Sequence, residues 1–338
     1  MKVSVIQSAA MLCSLAICVF SNTAFANQLD DAKKDFVRPD KIPFPDRAPY
    51  SLQIATLGKM LFYEPRLSGA QNMNCASCHN PSFGYETPVA TAIGAANEPL
   101  GRHAPTTLNL AWTEKLFWDG RADSLEEQAA GPITAPVEMN GKFDVIVERL
   151  SAIEEYDQWF NSLFPGDGVT RETILTAIAT YERTIMSGTA PFDRWVDGDD
   201  TALNASEIRG FEIFLGKANC AACHTGWNFT DNAFHDIGIA TDDVGRAALD
   251  DSDPGNKHAF KTPGLRNLKY RAPFMHNGSV PNMESVIAYY ETGGVERPSR
   301  SEKIKPFSLT GEERKDLVAF LAALTAEKTE TPIPVLPN

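Results

Sequence analysis

Two copies of one short pattern constrain this chain more than any other feature: Cys75-Ala-Ser-Cys78-His79 and Cys220-Ala-Ala-Cys223-His224. In C-x-x-C-H each thiol forms a thioether to a haem vinyl group, and the histidine that follows is thereby placed to ligate iron from the proximal side. A zinc site would not need a histidine directly after each second cysteine. A disulfide framework would not leave so long a chain with only two tight pairs. The other two of the six cysteines, Cys13 and Cys18, lie in a leader, so both motifs together use every cysteine of the mature chain.

The leader reads as a signal peptide. Met1-Lys2 is followed by an apolar run from Val3 to Phe20 and by Ala24-Phe25-Ala26 before Asn27, a basic start, a hydrophobic stretch and a small-x-small cleavage site. Cleavage after Ala26 and export to the periplasm are expected. Ile17 before Cys18 argues against lipid attachment, and no later stretch is apolar enough to span a bilayer. Without Lys2 the mature chain has 44 acidic against 30 basic residues, which excludes nucleic acid as a natural partner.

The two motifs lie 145 residues apart and each follows a helical pattern, so the expected fold is mainly α, two tandem cytochrome c-like domains with long loops. Asn204-Ala-Ser-Glu207 is a capping box before Ile208, Phe211 and Leu215; Leu52, Leu57 and Leu61 give a weaker version before the first motif. Further helix signals stand at Ser124 to Glu127, Ile174 to Ile185, and Thr310 to Glu313 followed by Leu317, Phe320, Leu321 and Leu324. The turn-rich stretch from Ser187 to Asn204 suggests a division into residues 27–195 and 196–338. The proline-rich ends, Gln28 to Pro49 and Thr329 to Asn338, are expected to wrap the surface as extended arms.

Beyond the haem motifs stand Phe117-Trp118-Asp119-Gly120-Arg121-Ala122, then Gln128 through Gly131-Pro132 to Pro136-Val137-Glu138-Met139, then Thr262-Pro263-Gly264-Leu265-Arg266-Asn267, and finally Pro273-Phe274-Met275-His276-Asn277-Gly278. With these the chain resembles, over nearly its whole mature length, the bacterial dihaem cytochrome c peroxidases, and within them the MauG and MbnH branch. The resemblance implies that the first haem reacts with hydrogen peroxide, that Glu138 is the acid and base of its distal pocket, and that Gln128 hydrogen-bonds the bound oxygen species. It implies also that Trp118 carries charge between the haems. Peroxide chemistry needs such an acid and base, because one oxygen must lose a proton and the other gain one before the O–O bond breaks.

Many family members carry a second histidine on the peroxide-reactive iron, after an Ile-Gly pair; here Ile93-Gly94 is followed by Ala95, which cannot ligate. The resemblance also implies an inter-haem calcium ion held by backbone carbonyls of Arg271 and Pro273 and by an asparagine side chain. His103 stands at the asparagine position and is a poor oxygen donor.

For the distal ligand of the second haem, Met275 is the obvious thioether, while the resemblance points fourteen residues past His276, to Tyr290. Helical spacing puts Met283, Val286, Ile287 and Tyr290 on one face between an Asn282 cap and a Gly293-Gly294 stop, with Tyr289 about 100° away. A phenolate donor favours oxidised iron, so this haem would store an oxidising equivalent. The function implied is MauG/MbnH-like: peroxide raises the haem pair to a high-valent state that oxidises aromatic residues, tryptophan above all, of a partner protein. Two alternatives stay open: a peroxidase drawing electrons from a small cytochrome or cupredoxin, and a non-catalytic dihaem electron carrier, against which Ala95 speaks. His235 and His258 read as structural or surface histidines, and Trp195 and Trp227 as packing residues. The branch's tryptophan two residues before the second haem motif is absent, the position being Ala218.

Overall fold

A computed structural model of the protein describes residues 29–338; the expected signal peptide lies outside the described residues. The main helices are α1 (Leu52–Phe62), α2 (Cys75–Cys78), α3 (Leu125–Thr134), α4 (Phe143–Ser151), α5 (Glu154–Leu163), α6 (Arg171–Thr184), α7 (Pro191–Val196), α8 (Ala205–Leu215), α9 (Met283–Thr292) and α10 (Gly311–Ala323). Long loops and short 3-10 turns join them. Among the described residues the sheet consists of two antiparallel strands, β1 (Phe234–His235) and β2 (Phe260–Lys261), with Phe234 opposite Lys261. No helix among the described residues is long and apolar enough to cross a membrane.

The helix boundaries follow local chemistry. Asn204 accepts from the Ser206 and Glu207 amides while Glu207 accepts from the Asn204 amide, and Thr310 with Glu313 closes the same box at α10. Asn282 caps α9, and Gly293 ends it at φ 77°, a left-handed conformation that glycine adopts without a Cβ clash. Leu57 and Leu61 of α1 are fully buried, but Leu52, at the first helical position, is 64% exposed and packs in neither core.

Each half is built on a helix crossing that only glycine permits. A Cβ at Gly58 of α1 would sit 1.8 Å from the Ala177 carbonyl oxygen of α6, and one at Gly210 of α8 would sit 2.0 Å from that of Asp316 of α10. These crossings organise two cores. Leu57, Leu61, Ile146, Phe160, Ile174 and Ile178 form the first. The second is aromatic, with Phe192, Phe211, Phe214, Phe229 and Phe320 in edge-to-face and tilted contacts about 5–6 Å apart.

The packing divides the chain differently from a cut at 195/196. Helix α7 runs across that point, and its Phe192 and Trp195 belong to the second core. So does Phe36 from the N-terminal arm, 2% exposed against Phe192, Phe211 and Phe229. The arm is therefore anchored through a buried aromatic, because a Phe side chain gains roughly 1.5–3 kcal/mol from burial. The C-terminal arm keeps to the surface as expected, crossing to the first half where the Pro337 carbonyl accepts from Arg66.

Candidate active site

Both C-x-x-C-H segments open onto cavities. The first is lined by Cys75, Cys78 and His79; the second by Cys220, Cys223 and His224. All four thiols are unpaired. The segments are pinned locally: Asn74 caps α2, and the His79 and His224 amides donate to the Cys75 and Cys220 carbonyls. Each histidine also places Nδ1 against a backbone carbonyl, Tyr85 at 3.3 Å and Phe229 at 3.0 Å. A carbonyl only accepts, so Nδ1 carries the proton and Nε2 is left with a free lone pair, the form that ligates a metal. Burial lowers the pKa of both rings against the pull of those carbonyls, which keeps them neutral.

The residues fit haem c. The walls are mostly apolar, and the second cavity gathers basic groups: Lys261, Lys303, Lys305 and His235. Lys261 is the telling one. Burial pulls its amine down to about 8, with only the charge of Asp231 opposing, and its nearest polar contact is Asn232 Oδ1 at 3.3 Å. A buried ammonium without a carboxylate in contact suits one of the haem's own carboxylates. His235, expected to be structural or on the surface, thus lines a cavity, and its pair with Asp231 at 2.8 Å raises it to about 9.

Glu138 and Gln128 both line the first cavity with His79. Gln128 lies on α3; Glu138 lies in the turn beyond it, where its amide donates to the Ala135 carbonyl (3.0 Å). Ala95, the residue standing in place of a second histidine, donates its amide to the Glu138 carbonyl at 2.7 Å. The 92–100 loop therefore rests on the Glu138 turn. Gly94 allows this: a Cβ there would lie 1.8 Å from the Val137 carbonyl oxygen. Burial raises the Glu138 carboxyl above its ordinary value, opposed by the charge of Arg121. A carboxyl held higher in pKa is a better proton exchanger near neutral pH.

Trp118 lines both cavities. It sits in a tight loop closed by a bridge between Leu116 and Ala122, with Phe117 and Gly120 at φ 65° and 78°. Its indole N–H donates to the His103 carbonyl (2.8 Å) and its own carbonyl accepts from the Lys261 amide (2.8 Å). Asp119 beside it is buried and accepts from Arg102 (2.6 Å) and Arg121 (3.0 Å).

Tyr290 lines the second cavity with Met283, Ile287 and Met275. The α9 face inferred from spacing is thus the face turned to the cavity. Burial pushes the Tyr290 phenol well above its ordinary pKa, with Cys220 and Cys223 adding to it, so without a cation the hydroxyl stays protonated. Tyr289 points elsewhere and donates to the Ile237 carbonyl at 2.8 Å. Met275 is held at φ 75°, a conformation uncommon for a non-glycine residue.

Calcium fits less well. His103 is 2% exposed and its side chain offers nitrogen alone: Nδ1 faces the Val89 and Ala90 carbonyls at 3.2 and 3.0 Å, and Nε2 stands 3.6 Å from Glu86 Oε2. Calcium takes six to eight oxygen ligands, so this donor set does not match it.

Sequence reasoning missed Glu182, which lines the first cavity and is pushed up to about 8 by burial. Its signal was present: Ile174, Ile178 and Glu182 recur at four-residue spacing, which puts a carboxyl on the apolar face of α6. It missed Glu86, Lys261 and the guanidinium of Arg271, whose backbone carbonyl alone it had singled out, because their partners are distant in the chain.

Two C-x-x-C-H segments, each opening onto its own cavity, define a dihaem cytochrome. The chain belongs to the dihaem cytochrome c peroxidase family and is a haem-dependent oxidoreductase of that type, which implies two haem c groups. Residues 53–201 match the model of the di-haem cytochrome c peroxidases and residues 208–325 that of cytochrome c. The methylamine utilization protein MauG of Methylorubrum extorquens is 47% identical over 320 residues, covering 93% of this chain and 91% of its own. The MauG of Methylophilus methylotrophus is 42% identical over 96% and 97%. The cytochrome c551 peroxidase of Pseudomonas aeruginosa is 31% identical over 96% and 94%. Among solved structures, a MauG-like protein associated with microbial copper homeostasis superimposes with a TM-score of 0.80 at 29% identity, over 86% of this chain and 95% of that one.

Proposed function

We propose that the protein uses hydrogen peroxide to oxidise aromatic side chains, tryptophan foremost, on a partner protein in the periplasm. Tyr290 is the observation that carries this reading: it lines the second cavity from α9, while Ala95 stands where a second histidine would ligate the first haem, and the other histidine of the first cavity, His103, turns Nδ1 to the Val89 and Ala90 carbonyls and Nε2 toward Glu86. A haem bound at each C-x-x-C-H would supply the redox chemistry, and a tyrosine donor at the second would favour its oxidised state. Glu138, whose carboxyl burial raises above its ordinary value, takes the proton from one peroxide oxygen and returns it to the other. Gln128 orients the peroxide from the same wall. Trp118, in contact with both cavities, is the aromatic path between them. Two relatives bearing the name MauG at 47% and 42% identity support the reading.

A second reading, a peroxidase fed by a small cytochrome or cupredoxin, is favoured by one observation: Met275 lines the same cavity as Tyr290. The test is to give the holoprotein peroxide together with the product of the neighbouring gene and to map oxidised tryptophans by mass spectrometry. Peroxide-dependent modification absent from the Tyr290→Phe variant supports protein oxidation. Fast peroxide turnover with a reduced small cytochrome, and no modified partner, favours the second reading.

A further inference from the structure

Between the two cavities lies a buried polar cluster that the reaction above does not use. Glu86 and Arg271 are each 4% exposed and His103 is 2% exposed. Glu86 Oε1 accepts from Arg271 Nε and NH2 at 3.1 and 2.8 Å and from the Thr106 amide at 3.0 Å; its Oε2 faces His103 Nε2. Arg271 also donates to the Gly264 and Arg266 carbonyls, at 2.7 and 2.8 Å. Burial alone would raise the Glu86 carboxyl, but the charge of Arg271 and its hydrogen bonds, with the His103 ring alongside, hold it below its ordinary value.

The backbone of His103 completes the link. Its carbonyl accepts from the Trp118 indole and its amide donates to the His276 carbonyl, both at 2.8 Å. The His103 backbone thus ties the loop carrying Trp118 to the loop carrying Met275 and His276, while its ring faces Glu86, which Arg271 joins to residues 264–271. Every polar group around the ring is an acceptor turned toward a ring nitrogen, and the single carboxylate is already shared with a guanidinium. A divalent ion would meet a neighbouring guanidinium and one side-chain oxygen, Glu86 Oε2, far short of the six to eight oxygens that calcium takes.

We infer that this chain bridges its two haem sites without calcium: the His103 imidazole stands where an oxygen donor and its ion would be, and Glu86, His103 and Arg271 together hold the Trp118 loop against the second cavity. His103 is a positioning residue, acting through Trp118. The inference holds whichever substrate the enzyme oxidises, so failure of the protein-oxidation reading would leave it standing.

The test uses the holoprotein, purified with added calcium and then dialysed against EGTA. Calcium content and the ferric electron paramagnetic resonance and midpoint potentials of both haems are measured before and after. Substoichiometric calcium, with no shift in either signal or potential, is the expected result. Stoichiometric calcium, or an EGTA-induced shift that added calcium reverses, overturns the inference. His103→Asn restores a side-chain oxygen; its haem signals should shift in EGTA and return with calcium but not with magnesium. If that variant keeps wild-type signals in EGTA, the imidazole is not the substitute.

Discussion

Glu138→Gln isolates the proton-exchange step. The replacement keeps the shape of the side chain and both backbone links, the Glu138 amide to Ala135 and the Ala95 amide to the Glu138 carbonyl, so the turn and the loop resting on it stay in place. What is lost is a titratable carboxyl in a cavity shared with His79. General acid–base catalysis contributes roughly 10²–10⁴-fold, or about 3–5 kcal/mol of barrier at 1.36 kcal/mol per decade. Gln128 still orients peroxide, so the loss should fall on the rate of the peroxide reaction. Stopped-flow absorbance of the haems after mixing the ferric protein with peroxide reads that rate directly. The wild-type rate should fall as pH drops through the raised Glu138 pKa, because the base form disappears there, and the variant should show no such limb. A variant with normal haem content, a rate close to that of the wild type and the same pH profile would refute Glu138 as the acid and base.

Three further outcomes follow from the geometry. Tyr290→Phe should keep the fold but change the spectrum of the second haem, whereas Tyr289→Phe, which loses only the bond to Ile237, should leave it unchanged. Gly210→Ala forces α8 and α10 apart and should destabilise the holoprotein by about 1–3 kcal/mol in denaturant titration, while Gly311→Ala, with open space around it and outside both cavities, should cost less than about 0.5 kcal/mol. Burial, against the pull of Arg183, raises Glu182 from 4.5 to about 8, so its contribution to stability is full below 4.5 and lost as pH rises through about 8. Melts of Glu182→Gln should accordingly show less loss of stability than the wild type between pH 5 and pH 9, the difference growing by at most about 1.4 kcal/mol per pH unit.

Local chemistry was legible in the sequence wherever one turn of chain decides the outcome. The caps at Asn204, Asn282 and Thr310, the Gly293 stop and the face holding Tyr290 needed only residues within one helix. The haem motifs were legible because their cysteines and histidine are adjacent. Phe36 was not, since an aromatic in a proline-rich arm has no periodicity to announce that it enters a core more than 150 residues further on. The same holds for Glu86 with Arg271, 185 residues apart, and Arg102 with Asp243, 141 apart, pairs that arise only when irregular loops meet. Lys261 stands next to the Thr262-Pro263-Gly264 motif, yet its burial depends on a strand pair of two residues that no alternation pattern marks.

The central claim is that the two haems are unlike, and resonance Raman spectroscopy of the ferric holoprotein tests it most directly. An open first haem and a second haem bearing tyrosine phenolate bands, lost in Tyr290→Phe and retained in Met275→Leu, is the predicted result. Two six-coordinate haems, with a second-haem spectrum indifferent to Tyr290→Phe and altered by Met275→Leu, would contradict the account.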